Sequence, residues 1–466
     1  MLKKSNNINL IASLNIISTF ILQGIAFLST PIFTRMLGAS QYGQYAVFNS
    51  WVMIGTCFMG LSMHSSIGTG LYHFSDQYLN FRNSILLFST IICVLEAIII
   101  AAMGAVVSKY SNISVWYIIL VVSLSFSHYI VNFAQTSFIY EKKAWNNFGL
   151  SVIISILTTG LSIFFIWNMV DYDKYLGRIY GVVIPYGIIA ALVWIYLFFS
   201  NPAGLKKNYC EYAFRVGFPI IFHSLSQNIL SQSDRVMMQF MKISNSEIGI
   251  YSLFYTLTSV LTVILNALNN TWCPFYYDDL SRSDWGIIRK KSKNYMELFS
   301  ILTFGFLMLS PEVLYVMADR SYSSGINTIP ILTCSVYFTF MYQFPVNYEF
   351  FNRKTRIIAL GTVGAGIVNI ILNFILIPLS GMFGAGLATC LSYMSLFIAH
   401  FYIVTHSQEF EGYGLKIQVF IPGIVFVFVG VCLFYIFSSY WAIRWSIGTF
   451  LGIFELCRIL RRKSIF

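Results

Sequence analysis

Charged side chains are scarce in this sequence. Only 10% of its 466 residues are charged, and its mean hydropathy is +0.71, whereas an average soluble protein carries about 25% charged residues. A soluble globular protein is therefore excluded. The 29 Lys and Arg exceed the 18 Asp and Glu, for a net charge of +11. Because these cations lie between apolar runs, we expect no nucleic-acid partner.

The sequence also lacks the motifs of common enzymes. Its 8 cysteines include no CxxC or CxxH spacing, which argues against a disulfide framework and a zinc site. There is no P-loop, dinucleotide-binding fingerprint, GxSxG or HExxH. The sequence therefore lacks the motifs that ATP-driven pumping and the commoner hydrolase mechanisms require. We expect no metal ion and no cofactor.

Long apolar runs make up most of the sequence. About 20 helical residues cross a hydrocarbon core of about 30 Å, and fourteen runs of this kind occur. Only the short stretch Ser438, Ser439 and Tyr440 marks the boundary within the last pair, so twelve or thirteen spans are the alternatives. The first run is too long for a signal-peptide core, and we expect it to be retained. The runs are 9–33, 44–66, 84–107, 115–139, 148–169, 179–199, 216–240, 249–272, 295–317, 328–350, 357–378, 384–405, 417–438 and 441–459.

The distribution of Lys and Arg predicts the orientation in the membrane, because short cytoplasmic loops accumulate positive charge. With the N-terminus inside, 21 of the 29 cations lie in cytoplasmic segments and 7 on the opposite side, and Arg235 lies within a helix. The sequence therefore predicts that both termini are cytoplasmic and that the number of helices is even.

A weak internal repeat relates the two halves at an offset of about 206 residues. Residues 35–45 align with 241–251, and Lys142 and Lys143 before helix 5 correspond in place to Arg353 and Lys354 before helix 11. We predict an all-α polytopic membrane protein in which two pseudo-symmetric six-helix lobes surround a central cavity. The predicted parts are an N-terminal lobe at 1–199, a cytoplasmic linker at 200–215, a C-terminal lobe at 216–405, and helices 13 and 14 with a basic tail at 406–466.

Polar side chains recur at helical spacing on the first two predicted helices of each half. Such residues are costly in a bilayer unless they face a partner or a wet cavity. Hydrogen bonding to a neighbouring helix is the commoner role for any one of them, whereas their concentration on four helices favours a cavity. They are Asn15, Thr19 and Gln23 in helix 1, Thr56, Gly60 and His64 in helix 2, His223, Gln227, Ser231 and Arg235 in helix 7, and Asn266, Asn269 and Asn270 in helix 8.

Four ionisable residues are candidates for a role in transport. Arg35 and Arg235 each carry a planar cation that fits phosphate oxygens. The alternatives are an interfacial anchor for Arg35 and an internal ion pair with Asp234 for Arg235. Glu96, at the centre of helix 3, is a candidate for proton coupling or gating, and an interhelical hydrogen bond is its alternative role.

Three groups of residues carry a family resemblance. The first follows helix 1, the second lies in helix 7 and the turn into helix 8, and the third joins helices 11 and 12. They are Pro31, Arg35, Leu37, Gly38, Tyr42, Gly43 and Tyr45, then Ser233, Asp234, Arg235, Glu247, Gly249 and Tyr251, then Asn369, Asn373, Pro378, Gly381 and Gly384. Together they resemble the O-antigen flippase (Wzx) family of the multidrug/oligosaccharidyl-lipid/polysaccharide (MOP) exporter superfamily.

The resemblance implies a flippase of the bacterial inner membrane. Its substrate would be an undecaprenyl-diphosphate-linked oligosaccharide, a repeat unit of O-antigen, capsule or exopolysaccharide. The substrate would move from the cytoplasmic to the periplasmic leaflet by alternating access. A polysaccharide polymerase and a chain-length regulator are the implied partners.

The resemblance also assigns roles to the candidate residues. We expect Arg35 and Arg235 to hold the diphosphate, and Asp234 and Glu96 to serve ion coupling or gating. The chain lacks the dense arginines of peptidoglycan-precursor flippases along helices 1, 2 and 8. The further residues expected to contact the substrate are Asp234, Asn15, Gln23, His64, His223, Gln227, Asn266 and Asn270.

Two other functions stay open. A multidrug cation antiporter of the same superfamily would need a carboxylate-rich cavity with few arginines, whereas Asp234 adjoins an Arg. A membrane polysaccharide polymerase or glycosyltransferase would need a sizeable aqueous loop. The acidic pair Asp278 and Asp279 offers carboxylates for a divalent metal, but loops of at most about 20 residues are too short for a soluble domain. We therefore expect that the protein is not an enzyme.

Overall fold

The computed structural model describes residues 2–111, 114–407, 410 and 412–462. Within these residues the regular structure is helical and no strand occurs, which confirms the predicted all-α class. The α-helices are α1 (Leu2–Phe58), α2 (Ile67–His73), α3 (Tyr78–Ser111), α4 (Val115–Tyr140), α5 (Ala144–Asn168), α6 (Lys174–Ser200), α7 (Lys207–Phe240), α8 (Asn245–Ser281), α9 (Trp285–Met317), α10 (Ile329–Phe351), α11 (Thr355–His406), α12 (Ile421–Ile436) and α13 (Trp441–Arg462).

Two of the longest helices are each divided into two segments by a break. In α1 the break is at Gly38, with φ 65° and ψ 172°. In α11 it is at Ser380 and Gly381, where the glycine has φ 55°. Glycine adopts positive φ readily because it has no Cβ. With these two breaks counted and the short α2 left out, the described chain forms fourteen helical segments at the places of the fourteen predicted runs.

Nine helical stretches of the described chain are long and apolar enough to cross a membrane. One of them, residues 21–73, includes the α1 break, and another is the whole of α11. These stretches agree with the polytopic membrane class predicted from the sequence.

The second predicted run is not one continuous α-helix. A 3-10 helix at Met59–Ser66 follows α1, and three successive residues from Gly60, which has φ 58°, are left-handed. The expected stripe of Thr56, Gly60 and His64 is therefore wrong, because a spacing of four residues marks one face only in a regular α-helix. Glu96 Oε2 in α3 accepts a hydrogen bond from the Gly60 backbone N–H at 3.0 Å, which satisfies a donor that the break releases.

Residues 1–228 form one compact unit. Arg82, which is 1% exposed, joins three of its helices. Its guanidinium donates to Oε1 of Glu141, the residue after α4, at 2.5 Å, and to Ser200 Oγ at 3.0 Å and the Leu197 carbonyl at 3.2 Å in α6. A buried charge is tolerated when it is paired and hydrogen-bonded in this way. The contacts therefore fix the ends of α3, α4 and α6 together.

Residues 229–466 form a second compact unit, and the boundary between the units lies inside α7. Arg444 in α13 pairs with Glu312 in α9 at 2.5 Å and donates to the Met308 carbonyl at 2.6 Å, which fastens α13 to α9. The lobe and linker boundaries expected from the sequence stay a prediction. The core of this unit is rich in aromatic side chains, among them Trp272, Tyr276, Tyr295, Phe299, Phe340 and Phe344.

The turn after α4 and the turn after α10 share one backbone pattern. Lys142 and Arg353 have φ of 59° and 60°. In each case the next amide donates to the carbonyl five residues before it, Lys143 to Phe138 at 2.8 Å and Lys354 to Glu349 at 2.9 Å. This pattern caps the end of a helix. The same pattern follows α7 and α8, where Lys242 and Ser283 have φ of 60° and 55°, so it is a common way for helices of this chain to end.

Candidate functional site

A buried polar cluster surrounds Asp234 in the second unit. The Asp234 carboxylate is fully buried. Its Oδ1 accepts a hydrogen bond from Asn373 Nδ2 at 2.8 Å, and its Oδ2 accepts from Thr389 Oγ1 at 2.7 Å and from the Tyr251 hydroxyl. Asn373 precedes the α11 break and Thr389 follows it, so one carboxylate joins α7, α8 and both segments of α11.

A second layer of amides extends this cluster. Asn369 Oδ1 accepts from Ser233 Oγ at 2.9 Å and from Asn373 Nδ2 at 3.1 Å. Asn373 Oδ1 is buried and receives no hydrogen bond among the described residues. A carboxylate with hydroxyl and amide oxygens beside it is the ligand chemistry of a hard cation, and a carboxylate in this setting can also take up a proton. No group of three or more His, Cys, Asp or Glu side chains that could hold a metal occurs in the described ranges.

Arg235 is the neighbour of Asp234 but bonds to other groups. It is 6% exposed. Its Nε donates to Ser252 Oγ at 3.1 Å and its Nη1 to the Ser231 carbonyl at 2.7 Å, while its guanidinium lies 4.4 Å from the centre of the Tyr255 ring. Neutral donors occupy both Asp234 oxygens, and within the described chain no ion pair joins Asp234 to Arg235.

The remaining predicted residues divide between the two units. In the first unit Gln23, Arg35 and Gln227 are exposed, and His64 and His223 are partly buried. Arg35 lies three residues before the Gly38 break. The side chain of Asn15 lies outside the described residues.

In the second unit Asn266 and Asn270 in α8 are exposed. Their neighbour Asn269 accepts a hydrogen bond from Asn347 Nδ2 at 2.9 Å, which is the interhelical role considered from the sequence. Asp234 and Arg235 are the predicted residues of this unit that lie together. Both are in α7, and both are hydrogen-bonded to residues of α8.

Sequence reasoning missed a buried pair formed by Glu349 in α10 and His400 in α11. Both side chains are fully buried, and His400 Nδ1 lies 2.8 Å from both carboxylate oxygens. His400 Nε2 has no partner among the described residues and faces Gly361, where a Cβ would lie 2.0 Å away. The two residues are 51 positions apart, so no helical spacing connects them in the sequence.

Tyr413 lies in the segment after α11, close to this pair. Burial raises the pKa of its phenol well above the usual value, and the Glu349 carboxylate adds to the rise. The phenol therefore stays protonated over the physiological range. Its ring packs against Tyr348 at a centroid distance of 5.0 Å and against Trp285 at 5.7 Å.

Comparison with solved structures identifies the class of protein that this fold defines. The fold is similar to that of the lipid II flippase MurJ in an inward closed conformation, with a TM-score of 0.70 and 16% identity, covering 97% of this chain and 100% of that one. It is also similar to an inward-facing MATE-family multidrug resistance transporter of the MOP superfamily, with a TM-score of 0.62 and 12% identity, covering 89% and 98%. The fold is that of a polytopic, all-helical membrane protein.

The chain belongs to the polysaccharide biosynthesis protein family, whose sequence model matches residues 12–277. Two proteins of Haemophilus influenzae are related to it. The Lsg locus putative protein 1 is 23% identical over 364 residues, which are 72% of this chain and 82% of that protein. A second, described as an uncharacterized membrane protein, is 23% identical over 353 residues, 73% and 83% of the two chains. The resemblance drawn from the sequence is confirmed.

Proposed function

We propose that this protein is a flippase for undecaprenyl-diphosphate-linked oligosaccharide repeat units of O-antigen, capsule or exopolysaccharide. It moves them by alternating access from the cytoplasmic to the periplasmic leaflet of the bacterial inner membrane, with both of its own termini in the cytoplasm. The observation that supports this most strongly is membership of a polysaccharide biosynthesis family together with a fold that matches a lipid II flippase over 97% of the chain.

The chemistry of such a substrate explains why a protein is needed. The lipid tail stays in the bilayer throughout, but the diphosphate and sugars cannot cross hydrocarbon bare. Each unpaired polar group costs several kcal/mol there, and a charge costs more. The protein must therefore replace the lost water contacts with its own donors. In this proposal it performs no covalent step, and a polysaccharide polymerase and a chain-length regulator act on the delivered unit.

The diphosphate is assigned to the two arginines. Arg35 is exposed and carries a planar guanidinium that fits phosphate oxygens. Arg235 uses Nε and Nη1 in its contacts with Ser252 and Ser231, which hold the side chain in place. Its Nη2, which makes no hydrogen bond within the described chain, is the assigned donor for a phosphate oxygen. The sugar hydroxyls are assigned to the polar residues Asn15, Gln23, His64, His223, Gln227, Asn266 and Asn270.

Ion coupling is assigned to Asp234, and gating to Glu96. Asp234, in α7, accepts hydrogen bonds from α8 and from both segments of α11, so a proton or cation at its carboxylate would change the contacts of all of them. Glu96 holds the Gly60 N–H at the break after α1. Loss of its negative charge would weaken that hydrogen bond and free the break to move.

The test is transport in proteoliposomes that contain a diphosphate-linked oligosaccharide lipid. A membrane-impermeant probe reports the fraction of sugar accessible over time, under a proton gradient, a sodium gradient or none. Arg35→Ala and Arg235→Ala should each lower the initial rate about 10- to 100-fold, since a charge-assisted hydrogen bond contributes about 1.5–3 kcal/mol. Arg320→Ala, at another exposed arginine, is the matched control. Asp234→Asn should remove the dependence on the gradient.

The outcomes separate the function from its site. If both arginine variants transfer the lipid at the wild-type rate, the flippase function stands, but the assignment of the diphosphate to Arg35 and Arg235 is refuted. Absence of transfer in every gradient, together with gradient-driven efflux of an organic cation, would replace the flippase with an antiporter. Loss of polysaccharide synthesis on changing Asp278 and Asp279 to Asn, with both arginines dispensable, would indicate an enzyme.

A further inference from the structure

A groove of about 500 Å³ lies within the second unit, among α9, α12 and α13. Its volume is in the range of ligand pockets, which is about 300–1,000 Å³. Its walls are apolar along most of its length. They are formed by Ile301, Val419, Phe426, Leu451 and Phe454. No residue assigned to the proposed transport site lines this groove.

One end of the groove is basic. Lys290 and Lys293 lie one helical turn apart on α9, and Arg458 faces them from α13. Glu297, one turn further along α9, forms an ion pair with Arg458. Three cations therefore meet one carboxylate, and this end of the groove is positively charged.

Among the described residues, no carboxylate neutralises the two lysines. Both are exposed, and within the part of the chain that the structure describes no carboxylate lies in ion-pair range of either. Their neighbour Lys291 differs, because its Nζ lies 2.8 Å from Asp279 Oδ2. The charges of Lys290 and Lys293 are thus available to an anion at the basic end.

The helices around the groove are held in fixed positions. On α12, Gly423 lies so close to α9 and α10 that a Cβ there would be 2.7 Å from Ser300 Oγ and 2.3 Å from Tyr337 Oη. At the opposite end of α13, Arg444 is fastened to Glu312. The groove is therefore part of the packed unit.

We infer that this groove binds an anionic phospholipid, with an acyl chain along the apolar walls and the phosphate at Lys290 and Lys293. The argument is charge complementarity joined to an apolar channel, since one molecule with an anionic head and a hydrocarbon tail satisfies both ends at once. Basic pockets between membrane helices are suited to anionic lipid head groups. A soluble anion would leave the apolar walls unfilled, and a zwitterionic lipid would bring a second cation to the lysines. The inference does not depend on the proposed transport function.

The experiment measures lipid binding to the purified full-length protein in neutral detergent, by native mass spectrometry. The probes are phosphatidylglycerol, phosphatidylcholine with the same acyl chains, inorganic phosphate and undecaprenyl diphosphate. Phosphatidylglycerol should bind with one site that the other probes do not fill. The variant Lys290→Ala with Lys293→Ala should weaken it roughly 25-fold, at roughly 5-fold for each lysine.

Two further variants isolate the cause. Lys206→Ala with Lys207→Ala removes the same charge from exposed lysines elsewhere and should bind like wild type. Leu451→Trp fills the groove, keeps both lysines and should also lose the site. Equal binding of phosphatidylcholine, or unchanged binding in the Lys290 and Lys293 variant, would overturn the inference. Preferential filling by inorganic phosphate or by undecaprenyl diphosphate would overturn the choice of occupant.

Discussion

Several buried ionisable residues in this protein are held by specific partners, and the Glu349 and His400 pair is the clearest example. Both groups are withdrawn from solvent, and His400 Nδ1 contacts the two carboxylate oxygens at 2.8 Å. The pair fastens the end of α10 to the second segment of α11. Removing one partner leaves the other buried and unsatisfied, whereas replacing both by apolar groups avoids that penalty.

We predict that His400→Leu destabilises the protein by about 3–5 kcal/mol, because it leaves the Glu349 carboxylate without its partner. The double variant Glu349→Met with His400→Leu should be more stable than the single variant. Thermal unfolding in detergent, followed by tryptophan fluorescence, measures both. Glu211→Gln, which breaks an exposed pair with Lys207 at 3.8 Å, is the control and should have little effect. A double variant less stable than His400→Leu would contradict this account.

Among helices, the breaks decide which side chains meet. Gly38 and Gly381 divide α1 and α11, and the left-handed residues from Gly60 divide α1 from α2. Each break releases backbone groups that need new partners. At Gly60 the partner is the Glu96 carboxylate at 3.0 Å, so an ionisable side chain supports a turn in the path of the chain.

We predict that Gly60→Ala is strongly destabilising, by about 2 kcal/mol or more. The residue has φ 58°, and a Cβ would lie 2.4 Å from Tyr129 Cζ, so both backbone strain and overpacking oppose it. Gly149→Ala in α5 is the matched control, since no atom lies within 4 Å of its Cβ position, and it should be neutral or stabilising. Thermal unfolding of the two variants in the same detergent is the measurement. Equal stability would show that the break at Gly60 is not required.

For the whole molecule, the distribution of charge predicts its orientation. Cations concentrate in alternate connections, with 21 on one side and 7 on the other. In the structure four of the five cations counted after α8, Arg289, Lys290, Lys291 and Lys293, lie in the first turns of α9, and only Arg282 lies in the connection between the two helices. Positive charge is retained on the cytoplasmic side during insertion.

We predict that reporter fusions detect the two sides. Alkaline phosphatase joined after residue 172 should be active, and joined after residue 283 or at the C-terminus it should be inactive. Green fluorescent protein at the last two positions should fluoresce, because it matures in the cytoplasm. An active phosphatase after residue 283 would reverse the orientation and would place the basic end of the α9 groove in the opposite leaflet.

Two kinds of sequence signal, apolar runs and the spacing of polar residues, determined how much of the fold could be predicted. Apolar runs found every long helical segment, since twenty successive apolar residues have one stable state in a bilayer. The same signal wrongly predicted one continuous helix at residues 44–66, because the sequence stays apolar across the left-handed residues that begin at Gly60. The spacing of four residues predicted that His223, Gln227 and Arg235 lie on one face of α7. It could not predict which residues of other helices they contact.

The candidate site was predicted in part for the same reason. Asp234 and Arg235 stood out as charges within an apolar run. Tyr251, Asn373 and Thr389, which bond Asp234, carry no charge and lie 17, 139 and 155 positions away. The Arg235 contacts with Ser252 and Tyr255 likewise depend on how α8 packs against α7.

The sequence by itself determined the all-helical membrane class, the positions of the helices and the family, because each depends on local hydrophobicity or on residues in fixed succession. The tertiary structure alone decided that Asp234 is held by neutral donors, that Glu349 pairs with His400, and that two lysines flank an apolar groove. These contacts join residues far apart in the chain, and packing of one helix against another, which no local pattern encodes, brings them within hydrogen-bonding distance.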